Sequence, residues 1–225
     1  MRITVLMLSL CSLLAAGDLE KARDAQDRPL LDKLAAQAAA DAQKKPDDAA
    51  VQYKLALSES YIAEVAIELH DKNVAHSAAE AGIKAAERSA TLKPDMAEYH
   101  RLWGTLCGQA VSSAGIQGLK YGKCAQDQVN KALQLDPKSA MNVIGHGVGN
   151  YYLPAALGGG VDLAIKDFEK AAALDPQSSE AEMWLGVALR KANRNAEARK
   201  AFQKAMELNP ARVWIKDQLA KTPAQ

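Results

Sequence analysis

The sequence places a leucine two residues before a proline four times, and this spacing constrains the fold more than any other feature. The four pairs are Leu92 and Pro94, Leu135 and Pro137, Leu174 and Pro176, and Leu208 and Pro210. Counting back from each proline, a small side chain stands twelve residues earlier, an apolar one eight residues earlier and a small one five residues earlier. In the last unit these are Ala198, Phe202 and Ala205. Steps of four and three residues place these side chains on one helical face, and proline stops the helix that precedes it. The pattern therefore predicts four helices that each end just before a proline.

The composition favours helices along the whole chain. Aromatic residues make up only 5% of the 225 residues, whereas sheets favour aromatic and β-branched side chains. A hydrophobic content of 48% is enough for one substantial core. The formal net charge of +1 offers no polybasic surface, so we do not expect a nucleic acid as partner. The fold class is predicted to be all-α.

The last unit of the pattern resembles the tetratricopeptide repeat. Residues 179–210 carry Leu185-Gly186 in a first helix, the small and aromatic side chains already named in a second, and Pro210 at the end; the spacing from Pro176 to Pro210 is the 34 residues of that family. The two preceding units are longer, with Trp103-Gly104 and Ile144-Gly145 in place of Leu-Gly. The resemblance implies a right-handed superhelix of antiparallel helix pairs, an α-solenoid.

A proline followed by glycines lengthens one inter-helix turn, at Pro154 and Gly158 to Gly160. This turn is similar to one in a subgroup of exported bacterial repeat proteins, and more distantly to the regulator of microtubule dynamics family. The expected division of the chain is a signal peptide (1–17), a flexible segment (18–28), degenerate N-terminal helices (29–94), two expanded repeats (95–137 and 138–176), a tetratricopeptide repeat (177–210), and a capping helix with a tail (211–225).

The beginning of the chain resembles a cleaved export signal. Arg2 is followed by the uncharged, mostly apolar run Ile3 to Ala16, and small residues precede Asp18. The run is shorter than the about 20 apolar residues that span a bilayer, and no other run of that length follows, so no stable membrane span is expected in the mature form. The predicted location is the periplasm or the exterior. Lipidation at Cys11 is less favoured, because Leu10 stands where a lipobox has a small residue.

Two cysteines remain after removal of the signal. Cys107 and Cys124 lie nine residues before and eight residues after Ile116, the middle of a predicted turn. In an antiparallel hairpin they would reach the same height, close enough for a disulfide, and an exported protein meets oxidising conditions. The alternative is two buried free thiols.

No pattern of residues indicates catalysis. The four histidines, His70, His76, His100 and His146, lack the spacing of a metal site, and no cofactor fingerprint or nucleophile arrangement is present. We therefore expect neither enzyme activity, metal nor cofactor.

The resemblance implies that the first helix of each pair lines a concave surface that binds a protein or peptide segment. Alignment on the Leu-Gly positions assigns seven residues to that surface: Arg101, Thr105, Asn142, His146, Met183, Val187 and Arg190. The leading hypothesis is a non-catalytic scaffold or adaptor that acts outside the cytoplasm. The alternative is a small-ligand-binding auxiliary component of a solute transporter, with a pocket enclosed by the enlarged middle repeats.

Overall fold

The structure, a computed structural model, describes residues 17–111 and 118–224. Within these ranges the chain forms helices and no strand. The helices are α1 (17–24), α2 (Arg28–Lys44), α3 (Ala49–Glu68), α4 (Lys72–Leu92), α5 (Ala97–Val111), α6 (Gly118–Leu135), α7 (Ala140–Tyr152), α8 (Val161–Leu174), α9 (Ser179–Lys191), α10 (Asn195–Leu208) and α11 (Val213–Ala220). None of the described helices is both long and apolar enough to cross a membrane. The predicted signal peptide and the centre of the turn between α5 and α6 lie outside the described residues, apart from Gly17.

Many of the helix ends follow from local chemistry. Helices α4, α6, α8 and α10 end at the leucine of the Leu-x-Pro pattern, which confirms that proline sets these boundaries. Several helix starts are capped by short polar side chains: Asp48 accepts hydrogen bonds from the backbone N–H groups of Ala50 and Val51, and Ser139 and Ser178 cap α7 and α9 in the same way. Such caps satisfy N–H groups that have no partner inside the helix. Helices α8, α10 and α11 begin without a side-chain cap.

Successive helices pack side by side, so the molecule is a stack of pairs with the core between them. Each first helix packs on the second helix that follows it, in the pairs α3 with α4, α5 with α6, α7 with α8, and α9 with α10. The apolar positions found by counting from the prolines, Phe168 and Phe202 among them, are fully buried. The predicted all-α solenoid is confirmed.

Small residues let the paired helices approach closely. A Cβ atom on Gly104 would lie 2.7 Å from Val129, and one on Gly186 would lie 2.8 Å from Phe202. Both distances are shorter than a carbon contact allows, so these positions need glycine. Gly186 thus confirms the packing role of the Leu-Gly pair in the last repeat.

In α7 the repeat register differs from the predicted one by two residues. A Cβ atom on Gly147 would lie 2.6 Å from the Phe168 ring, whereas one on Gly145 would have no neighbour nearer than 3.7 Å. Gly147 therefore plays the part that sequence alignment gave to Gly145. The Gly145-x-Gly147-x-Gly149 series offers three candidates, and Gly147 is the one that follows the preceding proline by ten residues, as Gly104 follows Pro94 and Gly186 follows Pro176.

The segment predicted to be flexible, 18–28, is a packed element. Residues 17–24 form α1, and Leu19 and Ala22 are buried in a cluster that includes Leu31, Ile62 and Val65. This corrects the prediction. The segment has only two apolar contact residues, too few to reveal a helix by periodicity.

Candidate binding surface

Three of the seven predicted surface residues are packed inside the protein. Asn142 and Met183 are each 1% exposed and Val187 is 5% exposed. Asn142 donates from Nδ2 to the carbonyl oxygens of Ala132 and Asp136, at 3.1 and 2.9 Å. These three side chains therefore stabilise the fold, which corrects their assignment to the surface. Ile144, which takes the place of Asn142 in the corrected register, is buried too, so this helix position faces the core in either register.

Asn142 takes part in a recurring hydrogen-bond arrangement that the sequence analysis missed. Gln52 donates to the carbonyls of Ala42 and Pro46, and a ring nitrogen of His100 lies 2.8 Å from the Pro94 carbonyl. In each case a polar side chain in the first turns of a first helix contacts the carbonyl six residues earlier. This arrangement satisfies buried carbonyl acceptors at the turn. Its only signal in the sequence is a polar residue six positions after that carbonyl.

The predicted arginines are both held by internal partners. Arg101 is buried, with Nε 2.6 Å from Glu98 Oε2, and Tyr53 donates its hydroxyl to the same carboxylate at 2.8 Å. Although burial raises the pKa of Glu98, the Arg101 charge lowers it below its ordinary value. Arg190 donates to the Gln218 carbonyl at 3.1 Å and so holds the capping helix α11.

Thr105 and His146 remain partly exposed. Thr105 donates its hydroxyl to the Arg101 carbonyl, 3.0 Å away on the same helix. His146 Nδ1 lies 2.8 Å from Asp167 Oδ2, and Asn150 donates to the same oxygen at 2.7 Å. The hydrogen bond to Asp167 raises the pKa of His146. This pair joins α7 to α8, and among the described residues no group of three metal-ligating side chains comes together.

Cys107 and Cys124 form a disulfide that joins α5 to α6, with their Cα atoms 5.9 Å apart. Cys107 is fully buried.

A chain of aromatic rings, which we call the aromatic row, crosses α7, α9 and α11. It consists of Tyr152, Tyr151, Trp184 and Trp214, with successive ring centroids 4.9, 6.2 and 5.9 Å apart. Phe168 stacks beneath Trp184 at 6.0 Å, so five of the eleven aromatic residues of the chain gather here. Tyr152 is 67% exposed, and Leu157 in the following turn is 68% exposed.

A cation lies over the same row. Lys191 Nζ is 4.0 Å from the centroid of the Tyr151 ring and donates to the Tyr151 carbonyl at 2.8 Å. The ammonium group is attracted by the electron-rich face of the ring. The aromatic row therefore combines exposed apolar area with positive charge.

A second feature, the ionic cluster, connects the two ends of the repeat stack. Its members are Arg23, Asp24, Glu64, Glu68, Glu180 and Arg212. Arg212, only 1% exposed, precedes α11 and donates to Glu64 Oε1 at 2.6 Å and also to Glu68, both on α3. The cluster adjoins the aromatic row, since the Arg212 guanidinium lies 5.9 Å from the Trp214 ring centroid.

Helix α1 supplies the other half of the cluster. Arg23 Nη1 lies 3.0 Å from Glu180 Oε1 at the start of α9, and its guanidinium lies 4.9 Å from the Tyr61 ring centroid on α3. Asn209, just after α10, donates to Asp24 Oδ2 at 2.8 Å. Helix α1 therefore bridges α3 and the C-terminal repeat.

Carboxylates outnumber arginines in the cluster, and this shifts their ionisation. Burial, together with the nearby Glu64 charge, raises the pKa of Glu68 to about 7 in spite of Arg212. Burial also raises the pKa of Glu180, against the attraction of Arg23. Burial lowers the pKa of Arg23, but the carboxylates of Glu180 and Glu64 more than reverse this. The two arginine charges therefore offset part of the repulsion among the surrounding carboxylates.

Stacked antiparallel helix pairs with glycine-mediated contacts define this chain as a helical-repeat solenoid. Residues 159–217 match the sequence profile of the tetratricopeptide repeat, so the C-terminal part carries a repeat of that family, as its resemblance predicted. Tetratricopeptide repeats typically form non-catalytic scaffolds that bind peptides or proteins.

One solved structure of a tetratricopeptide-repeat protein shares the fold, and two others are less similar. TTC0263, a thermophilic protein of this kind from Thermus thermophilus, is 18% identical with a TM-score of 0.63, over 92% of this chain and 99% of that one. YrrB, described as having an unusual peptide-binding site, is 14% identical with a TM-score of 0.45, over 80% and 96% of the two chains. MamA from Desulfovibrio magneticus is 15% identical with a TM-score of 0.44, over 89% and 96%. No functionally curated protein matches the sequence.

Proposed function

We propose that this protein is a non-catalytic scaffold that binds a segment of a partner protein outside the cytoplasm, with the aromatic row as the centre of its binding surface. The observation that carries the proposal is the exposure of Tyr152 beside rings that are themselves packed in place, with Leu157 also exposed in the turn that follows α7. Contiguous exposed apolar area on a protein surface marks interaction sites, and the exposed Tyr152 ring continues the aromatic row. The tetratricopeptide repeat of residues 159–217 underlies the same surface.

The aromatic row has the chemistry of an interaction hot spot. Tyrosine and tryptophan dominate the energy of protein interfaces because they bury a large area with few rotatable bonds. Here Tyr151 and Trp184 are fixed by neighbouring rings, so little conformational entropy remains to be lost on binding. Lys191 adds a positive charge at the edge. A partner segment with apolar and acidic side chains fits this surface.

Two features support an extracytoplasmic location. The apolar start of the sequence resembles an export signal, and the disulfide between Cys107 and Cys124 is of a kind that persists in oxidising compartments. Neither feature depends on the identity of the partner.

The observed cavities favour a macromolecular partner over a small ligand. A groove of about 480 Å³ between α2, α3 and α4 is open to solvent, and its lining combines four alanines with polar and charged side chains such as Arg28, Asp32 and Glu59. Small-molecule sites are usually enclosed, and this groove is not. The transporter-auxiliary alternative therefore has no specific observation in its favour.

Site-specific photo-crosslinking tests the proposal. Benzoylphenylalanine is placed at position 152 or, as a matched control, at position 96, where Met96 is 44% exposed in the turn before α5. In intact native cells we expect a discrete crosslinked product from position 152 and none from position 96. The double substitution Tyr152→Ala and Leu157→Ala should lower capture of that product's partner at least tenfold, whereas Met96→Ala should leave it unchanged. Equal crosslinking from both positions, or none from position 152, would contradict the proposal.

A further inference from the structure

Helix α1 contacts the repeats as a bound peptide would. It is only eight residues long (17–24), too short to be stable as an isolated helix in water. Its order therefore depends on what it touches. Leu19 and Ala22 are buried against apolar side chains of the N-terminal helices, and Arg23 reaches Glu180, 157 positions further along the sequence, at 3.0 Å.

The surface beneath α1 is complementary to an arginine. Glu64, Glu68 and Glu180 converge there, and apart from α1 the ionic cluster supplies only Arg212 to balance them. Tyr61 provides an aromatic face for the guanidinium. Removal of α1 would leave a surface with an apolar part, a ring and an excess of carboxylates. Such a surface favours a basic, partly apolar ligand.

The connection between α1 and α2 permits release of α1 without unfolding the repeats. A single turn joins the two helices, and in it Gln26 has a φ angle of +54°, a left-handed conformation that is unfavourable for a residue with a side chain. The Gln26 amide donates to Glu68 at 2.8 Å. Undocking of α1 would free this residue from its unfavourable angle, and the repeat pairs from α3 onward would keep their own packing.

We propose that α1 is a built-in occupant of a peptide site formed by α3 and α9, and that the partner which replaces it is a helical segment with an apolar residue and an arginine four positions apart, as Leu19 and Arg23 are. This inference rests on the proposed protein-binding function and names the chemistry of the partner. The site adjoins the aromatic row through Arg212 and Trp214, so one bound segment can contact both.

A synthetic peptide tests the proposal directly. The probe is a peptide of residues 17–27, acetylated and amidated at its ends, and its binding to isotope-labelled full-length protein is followed by NMR. The double substitution Leu19→Ala and Arg23→Gln releases α1 from the site. We expect this variant to bind the peptide at least tenfold more tightly than the wild-type protein, whose site is occupied. A peptide carrying the same two substitutions should not bind either protein.

The control variant is Lys21→Gln, which removes a positive charge from the exposed side of the same helix. It should behave as the wild-type protein does. Should the double variant fail to fold, as judged by circular dichroism, Arg23→Gln alone is used, with hydrogen exchange of residues 17–24 as the readout; at least tenfold faster exchange than in Lys21→Gln is expected.

The proposal is overturned if the wild-type protein and the released variant bind the peptide equally well, or if neither binds it. It is also overturned if the substituted peptide binds, or if residues 17–24 exchange no faster in Arg23→Gln than in Lys21→Gln. Dimers of the released variant that exchange α1 between copies would overturn it as well, because the occupant would then be a second copy of the chain. Crosslinking from position 152 is independent of these outcomes, so the two proposals fail separately.

Discussion

At the scale of single residues, the glycines of α7 show what a sequence pattern can and cannot resolve. The repeat pattern predicts a glycine near this point of the first helix, and one is required there. Gly147 meets the Phe168 ring, and counting ten residues from the preceding proline identifies it, as it does Gly104 and Gly186; alignment on the apolar-Gly pair alone selected Gly145. That alignment also placed Asn142 on a binding surface, although it serves the turn before α7.

Two matched substitutions test the corrected register. Gly147→Ala would push a methyl group into the Phe168 ring, so we expect a loss of about 1 to 3 kcal/mol in the free energy of unfolding. Gly145→Ala meets no close neighbour, and alanine is the better helix former, so we expect no loss and a gain of up to about 1 kcal/mol. Urea denaturation measures both. A larger loss for Gly145→Ala than for Gly147→Ala would restore the register predicted from the sequence.

At the scale of elements, the predicted helices that have a periodic apolar face were found, and the one without such a face was missed. Four helix ends coincide with the predicted leucines because proline acts locally. Helix α1 carries only Leu19 and Ala22 as buried apolar residues, and its remaining contacts are ionic and distant in sequence. Local periodicity in the sequence does not reveal ionic contacts between distant residues.

The hairpin of α5 and α6 supplies the prediction at this scale. The disulfide closes a loop with a sequence separation of 17 residues, so its removal increases the entropy of the unfolded chain. We expect the paired substitution Cys107→Ala and Cys124→Ala to lower the free energy of unfolding by about 3 kcal/mol, measured in urea. Mass spectrometry after alkylation without reductant should show neither cysteine modified in the wild-type protein. Modification of both would indicate two free thiols instead.

At the scale of the whole molecule, the ends of the repeat stack are connected through buried charges. Arg212 meets Glu64 and Glu68 across 148 and 144 positions of sequence, and Asn209 meets Asp24 across 185. None of these residues stands out in the sequence, where each is an ordinary charged or polar residue on a helix or beside a proline. The fold class was predictable because each repeat carries the same pattern of helix-forming residues. The connection between the two ends depends on single residue pairs that are distant in sequence, so no repeated pattern indicates it.

The connection also changes which part of the predicted surface is available to a partner. The first helices do line one side of the pairs, but α1 lies against α3 and α9, and Arg190 holds α11 in place. Among the described residues, Tyr152 and Leu157 are two of the exposed apolar side chains that remain, at 67% and 68% exposure. Sequence analysis did not single out the aromatic row, because Tyr151 and Trp184 match no position that the repeat pattern marks.

The most direct test of this account is a double-mutant cycle between Arg212 and Glu68, with the free energy of unfolding measured for Arg212→Gln, Glu68→Gln and both together. Since the two side chains are in contact, we predict that the double variant loses less than the sum of the single losses, by about 1 to 3 kcal/mol. The exposed pair of Arg194 and Glu197 on α10, treated in the same way, serves as the control and should show a much smaller coupling. Additive losses at Arg212 and Glu68 would contradict the closure of the repeat stack on which the account rests.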